Sequence, residues 1–258
     1  MQLRPTGPLG GRSALVTGAS RGIGRATALR LAADGALVAV HHGHSADAAR
    51  EVVSTIEANG GRAFPVEADL SHSSSILLLF EALDAEFTRR TGGDELHILV
   101  NNAGIDRRGV LENIAEAELD HIIQVNLKAP FLILQQASRR MPSGGRIINV
   151  SSMATRAAFP EMAAYAPTKA GLESLTLLLA AHFGPRGITV NAVLPGATAT
   201  ELNPRASDPE IGREIAKSIA LGRVGQPEDI ADVIAFLASE GARWITGERI
   251  QVSGGQRI

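Results

Sequence analysis

The fold of this chain is decided by residues 13–32, SALVTGASRGIGRATALRLA. An apolar run is followed by glycines at positions 18, 22 and 24, and then by apolar residues at helical spacing. This order predicts a buried strand, a tight turn and a helix in direct succession. Glycines in such a turn let the backbone approach a phosphate, and the helix start presents free N–H groups to an anion. A tight turn without a ligand remains an alternative, because G-x3-G-x-G departs from the strict G-x-G-x-x-G fingerprint.

Strand-like and helix-like segments alternate along the rest of the chain. Short apolar runs predict strands at residues 13–17, 36–40, 62–66, 97–101, 146–151, 188–193 and 249–253. Helical periodicity covers residues 24–33, 46–58, 73–89, 163–182 and 227–239. Nearly continuous apolar strands are typical of a parallel sheet that is buried on both faces. The alternation therefore predicts an α/β fold, a doubly wound Rossmann sheet of about seven parallel strands with helices on both faces.

The same alternation indicates a single domain over residues 12–258, for both dinucleotide binding and catalysis. Residues 1–11 contain two prolines and three glycines, so we expect a flexible N-terminal lead-in. Residues 198–225 are polar and interrupt the alternation. We expect them to form an insertion on the substrate side.

Composition excludes several classes of function. The 258 residues carry a formal net charge of −2, which favours neither nucleic-acid nor membrane-surface binding. There is no cysteine, so disulfides, thiol catalysis and thiolate metal sites are excluded. The N-terminus has no apolar run of the kind that a secretory signal needs, and no uncharged apolar stretch is long enough to span a bilayer. We expect a soluble, cytoplasmic protein.

Polar side chains of several types lie where the sheet would present them to a ligand. The only tyrosine, Tyr165, is followed four residues later by Lys169, so both side chains lie on one helix face. A lysine cation there would lower the pKa of the phenol, although a surface pair has the same spacing. Ser151 and Ser152 end a predicted strand. Asn126 lies in an apolar helical stretch, where a purely structural role is the alternative.

These motifs together resemble the short-chain dehydrogenase/reductase family, and in particular its 3-oxoacyl reductases with an NADP-type glycine turn. The motifs are TGASRGIG at residues 17–24, NNAG at 101–104, the Ser and Tyr-x3-Lys arrangement, PG at 195–196 and LGRVGQPEDIADVIAFLAS at 221–239. In this family the catalytic serine lies thirteen residues before the tyrosine, which selects Ser152. The family's asparagine lies 24 residues after the second Asn of NNAG, which selects Asn126.

The resemblance implies a role for each catalytic residue. Tyr165 is the general acid in ketone reduction, Ser152 hydrogen-bonds the carbonyl oxygen, Lys169 binds the nicotinamide ribose, and Asn126 holds a water of a proton relay. Family and residue chemistry together predict cofactor contacts at Gly18, Ser20, Arg21, Gly22, Ile23, Gly24, His42, Gly43, His44, Ser45, Asp69, Leu70, Asn102, Ala103, Gly104, Tyr165, Lys169, Pro195, Gly196, Thr198 and Thr200. The resemblance also implies that the protein forms a homotetramer or a homodimer.

The segment VHHGHS, residues 40–45, follows the second strand and bears on the choice of cofactor. An NAD site usually has an acidic residue here, but residues 35–46 contain no Asp or Glu. Ser20 and Arg21 would meet a 2′-phosphate, so we predict NADP(H) in preference to NAD(H). No spaced ligand pattern completes a metal site with the three histidines, and we predict none. Exposed loop histidines without a role are the alternative, and protonation beside the phosphate is a further hypothesis.

The substrate is less well determined. Residues 105–108, 153–162 and 198–220 are expected to face it, and 156–164 are mostly apolar. We predict reduction of a small-molecule ketone, 3-oxoacyl or polyketide-like. Acyl-carrier-protein reductases of the family tend to have basic residues where this chain has Ser143 and Ala181, which argues against a carrier-bound substrate. The alternative is that nearby arginines take their place, namely Arg107, Arg108, Arg139 and Arg140. An NAD-linked alcohol or sugar dehydrogenase and a non-catalytic dinucleotide-binding sensor are the alternatives.

Overall fold

A computed structural model describes residues 7–257, and in that range a seven-stranded sheet forms the centre of the molecule. The strands are β1 Ser13–Val16, β2 Leu37–His42, β3 Arg62–Glu67, β4 Ile98–Asn101, β5 Arg146–Val150, β6 Thr189–Pro195 and β7 Arg249–Val252. All neighbours pair in parallel, in the order β3-β2-β1-β4-β5-β6-β7. The predicted doubly wound sheet is confirmed. The strand order reverses between β1 and β4, where ligands of such sheets bind.

Helices cover both faces of the sheet. They are α1 Gly22–Ala33, α2 Ala46–Ala58, α3 Ser75–Thr91, α4 Glu116–Ile123, α5 Ala129–Arg140, α6 Tyr165–Phe183, α7 Pro204–Ser207, α8 Pro209–Ala216 and α9 Pro227–Ala238. A π-helical turn, Gln124–Lys128, joins α4 to α5. Two apolar cores result: α1, α2 and α9 pack on one face, and α3, α5 and α6 pack on the other. Burial on both faces explains why β1, β4 and β5 are apolar almost throughout.

Two strands end two residues later than the sequence predicts. β2 was expected to end at Val40, but it continues through His41 and His42, which pair with Val66 and Glu67 of β3. Histidine favours neither strand nor loop strongly, so the hydrophobic run alone placed the end too early. β6 likewise continues to Pro195.

The two segments expected outside the alternating core differ in how they fold. Residues 1–6 of the expected lead-in lie outside the described range, and from Gly7 onward the chain packs on the domain. Leu9 is fully buried and its N–H donates to the carbonyl of Asp34 at 2.8 Å. The expected insertion at 198–225 contains α7 and α8. Across residues 7–257, no helix is both long and apolar enough to cross a membrane.

Candidate active site

Two cavities meet at the carboxyl ends of the strands. The glycine-turn cavity, of about 520 Å³, is lined by the β1–α1 turn and by the segments that follow β2, β3 and β4. The tyrosine cavity, of about 460 Å³, is lined by Ser152, Tyr165 and Lys169 and by segments around them. Both are lined in part by Ile23, Asn102 and Gly104. A ligand extended along the sheet edge can therefore reach from one cavity into the other.

The β1–α1 turn is shaped by backbone that only glycine adopts easily. Gly18 and Gly22 have φ of +62° and +53°, in the left-handed region. A Cβ on Gly24 would overlap the carbonyl oxygen of Gly18. No side chain caps the start of α1 at Arg21, so the first N–H groups of the helix are free for an anion. The turn therefore fits a phosphate-bearing ligand.

His41 connects this turn to the β3–α3 segment. It is only 2% exposed, its Nδ1 accepts a hydrogen bond from the N–H of Gly18 at 3.0 Å, and its Nε2 lies 3.0 Å from the carbonyl oxygen of Ala68. Accepting at Nδ1 requires a neutral ring, which then donates from Nε2. Burial lowers the pKa of His41 to about 4. The interpretation of His41 as an exposed loop histidine, and the hypothesis of its protonation beside a phosphate, are therefore wrong.

The other two histidines have different surroundings. His42 is buried and lines the glycine-turn cavity, and its Nδ1 has no hydrogen-bond partner in the described part of the chain. His44 is 82% exposed, with Nε2 at 3.7 Å from Oδ2 of Asp69. Hydrogen bonds from Ser71 lower the pKa of Asp69, so that side chain is ionised. Over residues 7–257, no cluster of three or more His, Cys, Asp or Glu side chains could hold a metal ion.

The structure brings the predicted cofactor residues to the two cavities. The glycine-turn cavity is lined by Gly18, Ser20, Arg21, Gly22, Ile23, Gly24, His42, Gly43, His44, Ser45, Asp69, Leu70, Asn102, Ala103, Gly104 and Thr200. The tyrosine cavity is lined by Tyr165, Lys169, Pro195, Gly196 and Thr198. Sequence reasoning missed His121, Val125 and Glu201 in the first cavity. No motif marks these three positions.

Tyr165 is the first residue of α6, and Ser152 follows β5. Desolvation and the carboxylate of Asp106 raise the pKa of Tyr165 to about 12, although a hydrogen bond with Ser152 lowers it. Lys169 was expected to lower this pKa, but the net shift is upward, and the groups that oppose it are Ser152 and Arg108. The phenol is therefore protonated at neutral pH, as a general acid must be.

Lys169 lies one helical turn beyond Tyr165, with Nζ at 5.7 Å from the centre of the tyrosine ring. Its Nζ donates to the carbonyl oxygen of Val150 at 2.9 Å. Burial lowers the pKa of Lys169 to about 8, because the buried ammonium group loses its hydration. At neutral pH the side chain still carries its charge.

Asn126 is fully buried within the π-helical turn. Its Nδ2 donates to the carbonyl oxygen of Ile105 and its Oδ1 accepts from the N–H of Ile105, both at 2.9 Å. A Cβ on Gly104 would lie 3.3 Å from both Oδ1 of Asn126 and Nζ of Lys169. Both atoms thus lie on the same side of Gly104, where a side chain would begin, and π-helical turns are frequent at functional sites.

The two neighbouring serines face different groups. Ser151 is buried, and its O–H donates to Oε1 of Glu173 at 2.6 Å. Ser152 lines the tyrosine cavity, and its Oγ accepts from the N–H of Ala154 at 3.1 Å. The Ser152 Oγ thus accepts from the backbone, while its own O–H is the donor in the hydrogen bond with Tyr165.

The outer wall of the tyrosine cavity comes from distant parts of the chain. All three segments expected to face the substrate contribute, for example through Arg108, Met162 and Leu202. Gln256 and Arg257, near the C-terminus, were not predicted. Gln256 is buried, with Oε1 accepting from the N–H of Ala197 at 2.7 Å. No sequence signal near the C-terminus indicates this contact.

Known proteins match the chain over nearly its whole length. A family model described as enoyl-(acyl carrier protein) reductase matches residues 18–257. The 3-oxoacyl-(acyl-carrier-protein) reductase FabG of Staphylococcus aureus is 42% identical over 246 residues, which are 95% of this chain and 97% of that protein.

Two solved structures are also similar. The angucycline C-6 ketoreductase LanV, solved with bound NADP, has a TM-score of 0.94 and 49% identity, and the match covers 97% of each chain. The reductase LugOII, described as promiscuous and as catalysing keto-reduction at C1 during lugdunomycin biosynthesis, has a TM-score of 0.93 and 50% identity over 99% of this chain and 100% of that one. The chain is an oxidoreductase and belongs to the short-chain dehydrogenase/reductase family.

Proposed function

We propose that the protein reduces a ketone with NADPH, and that the ketone is cyclic and polyketide-like. One observation carries the proposal: Ser152, Tyr165 and Lys169 line a cavity that continues into the glycine-turn cavity. The tyrosine cavity therefore holds a proton donor and a second hydrogen-bond donor beside the cavity in which we expect the dinucleotide.

The two connected cavities fit a nicotinamide dinucleotide. The free N–H groups at the start of α1 suit its pyrophosphate, and Gly24 leaves room for close backbone packing there. When bound, the dinucleotide supplies the hydride, and the protein supplies position and protons. Lys169 donates one hydrogen bond to Val150, which leaves two of its three N–H groups for the ribose hydroxyls.

Proton supply rests on the phenol. Tyr165, protonated because its pKa is about 12, donates to the carbonyl oxygen as negative charge develops on it. Ser152 donates a second hydrogen bond to the same oxygen, since its Oγ already accepts from Ala154. Lys169 and Asn126 both approach Gly104 from one side, and a water held there would relay a proton toward the tyrosine.

NADP is the proposed cofactor rather than NAD. Residues 35–46, which include the end of β2, contain no carboxylate to repel a 2′-phosphate. Arg21, Ser20 and the buried His42 line the same cavity and can donate hydrogen bonds to that phosphate. LanV, which is 49% identical, was solved with NADP bound.

The substrate class is supported by similarity and by two surface positions. LanV is an angucycline C-6 ketoreductase, LugOII catalyses keto-reduction at C1 during lugdunomycin biosynthesis, and the two are 49% and 50% identical to this chain. FabG of S. aureus is 42% identical. Ser143 and Ala181 are exposed and uncharged where carrier-protein reductases tend to be basic. We therefore place a free ketone ahead of a carrier-bound one.

We also propose that the protein forms a homotetramer or a homodimer and that it is located in the cytoplasm. Large apolar side chains are exposed on the outer faces of helices and near β7, at Phe131, Leu177, Leu178, Phe236 and Trp244. Such side chains are typical of subunit interfaces. Light scattering in solution would measure the assembly.

Kinetics in both directions test the proposed reaction. We expect cyclic aromatic ketones to be reduced with NADPH at a higher kcat/KM than with NADH, and alcohols and sugars to be poor substrates for oxidation with NAD. A clear preference for NAD-linked oxidation would contradict the proposal. Tight NADPH binding without turnover on any ketone or alcohol would favour the sensor alternative.

A further inference from the structure

A buried carboxylate of α6 contacts the loop that carries Ser152, and the reaction proposed above does not use it. Glu173 is only 5% exposed, and its Oε1 accepts hydrogen bonds from two hydroxyl groups. One comes from Ser151 at 2.6 Å and the other from Thr155 at 2.7 Å. Both distances are typical of a hydroxyl group that donates to a carboxylate, and such hydrogen bonds are stronger than those between neutral groups.

The two hydroxyl groups lie on either side of Ser152 in the chain. The serine loop, residues 151–156, directly follows β5 and contains the 3₁₀ turn Met153–Thr155. Ser151 precedes Ser152, and Thr155 ends the turn, so the segment that carries Ser152 is bonded at both ends to one oxygen atom. The Thr155 hydroxyl also lies 2.9 Å from the carbonyl oxygen of Ser152. The position of Ser152 therefore depends on a side chain of α6.

The same helix carries the proton donor. Tyr165, Lys169 and Glu173 follow one another at intervals of four residues, so their side chains lie along one face of α6. Ser152 and Tyr165 line the tyrosine cavity together. Over residues 7–257, the lining of that cavity does not include Glu173, which lies about 12 Å from Tyr165 along the helix axis. Glu173 can therefore affect the reaction only through the serine loop.

The charge of Glu173 also needs an explanation. A buried carboxylate costs free energy unless it is hydrogen-bonded and paired. Arg156, at the end of the serine loop, supplies the charged partner, with Nη2 at 3.5 Å from Oε2 of Glu173. An apolar side chain would fill this position of α6 without the cost of burying a charge. What Glu173 adds is a fixed geometry of the serine loop relative to the helix.

We propose that Glu173 is a positioning residue: by accepting from Ser151 and Thr155, it keeps the Ser152 hydroxyl aligned with Tyr165 at the substrate carbonyl oxygen. This inference rests on the proposed ketone reduction and adds a residue that acts on it through Ser152. Hydrogen bonds to the carbonyl oxygen strengthen in the transition state, so a displaced Ser152 should lower kcat more than it raises KM. The Kd for NADPH should stay close to that of the wild type.

The test is a double-mutant cycle between Glu173→Leu and Ser152→Ala. kcat and KM are measured with NADPH and the cyclic aromatic ketone that the wild type reduces best. We expect Glu173→Leu alone to lower kcat by about 10- to 100-fold, because small displacements of a reacting group are costly. In the Ser152→Ala background the same substitution should change kcat by less than about 2-fold, since no hydroxyl group is left to position.

A conservative variant and a matched control complete the design. Glu173→Gln keeps an oxygen that can accept from both hydroxyl groups, so its loss of kcat should be much smaller than that of Glu173→Leu. Thr176→Val is the control, because Thr176 is fully buried on α6 and its Oγ1 accepts from Nδ2 of Asn149 at 2.9 Å. It removes a hydrogen bond between α6 and β5 without changing the serine loop. It should lower the free energy of unfolding and leave kcat close to that of the wild type.

A further variant serves if Glu173→Leu does not fold. Thr155→Val removes one of the two donors and keeps the carboxylate with its partners Ser151 and Arg156. We expect it to lower kcat by about 3- to 10-fold, again without further loss in the Ser152→Ala background.

Three results would overturn the inference, and they are distinguishable. If Glu173→Leu, or Thr155→Val in its place, has the kcat of the wild type, Glu173 has no positioning role and ketone reduction still stands. Equal losses of kcat with and without Ser152, or an equal loss in Thr176→Val, would mean that α6 is damaged in general. If the wild type binds NADPH and reduces no ketone, the proposed function fails and the inference fails with it.

Discussion

The two cavities at the sheet edge are built in different ways. The glycine-turn cavity is lined mainly by segments that directly follow β1, β2, β3 and β4, and five of its lining residues are glycines, which present only backbone. The tyrosine cavity is lined by side chains from α6, α7 and α8, from the three loops that follow β4, β5 and β6, and from the C-terminal segment. A cavity of backbone depends on a few glycines and on the strand order. A cavity of side chains changes with each substitution, so cofactor binding and substrate choice are separable properties of this chain.

The strongest test of this separation is Tyr165→Phe. We expect kcat for ketone reduction to fall by about 10²- to 10⁴-fold, because the proton donor is lost while the ring remains. The Kd for NADPH should stay close to that of the wild type, since the phosphates bind in the other cavity. Stopped-flow turnover and calorimetric titration measure the two quantities. A loss of NADPH affinity as large as the loss of turnover would show that the cavities are not separable.

The second test concerns His41, on the cofactor side. The folded protein holds the pKa of His41 at about 4, below the value of 6.5 for a free histidine, so acid favours the unfolded state. Stability from the neutral ring is present above pH 6.5 and is lost progressively as the pH falls toward 4, by about 3 kcal/mol in total.

His41→Asn removes this titration. The variant should be less stable than the wild type at neutral pH, and the difference in the free energy of unfolding should narrow by about 3 kcal/mol on going to pH 4. Urea unfolding at a series of pH values measures it. A difference that is constant with pH would mean that His41 is not held neutral.

The third and smallest test is Arg21→Ala. We expect the Kd for NADPH to rise by about 10- to 100-fold, because a charge-assisted hydrogen bond to the 2′-phosphate is lost. The Kd for NADH should change little. Arg25→Ala, one helical turn along α1, is the matched control and should affect neither cofactor. An equal loss for NADPH and NADH would place Arg21 at the pyrophosphate, which both cofactors share.

Much of the fold was predictable, because a strand that is buried on both faces of the sheet appears in the sequence as a run of apolar residues. The predicted strands overlap β1 to β7, and α2 begins and ends where its periodicity indicates. The glycine-turn cavity was equally predictable from the sequence, since most of its lining residues lie in short segments directly after the strands. The end of β2 was missed because His41 is polar, although its ring is satisfied inside the protein by Gly18 and Ala68.

The substrate side was predictable only by segment. Residues 105–108 were expected to face the substrate, but no pattern shows that Arg108 pairs with one oxygen of Asp106. Gln256 and Arg257 reach the cavity through tertiary packing, which leaves no trace in local spacing. These contacts join positions far apart in the chain, so only the folded structure reveals them.

The π-helical turn at Gln124–Lys128 amounts to one extra residue between α4 and α5. Deleting a residue there would restore regular α-helix and rotate one helix against the other by about 100°. Asn126 would then leave its partner Ile105, or α5 would lose its register on the sheet. The π-helical turn therefore lets α5 keep its orientation on the sheet while the Asn126 side chain keeps its orientation toward Ile105. Length in this segment is under tighter constraint than most of its individual side chains.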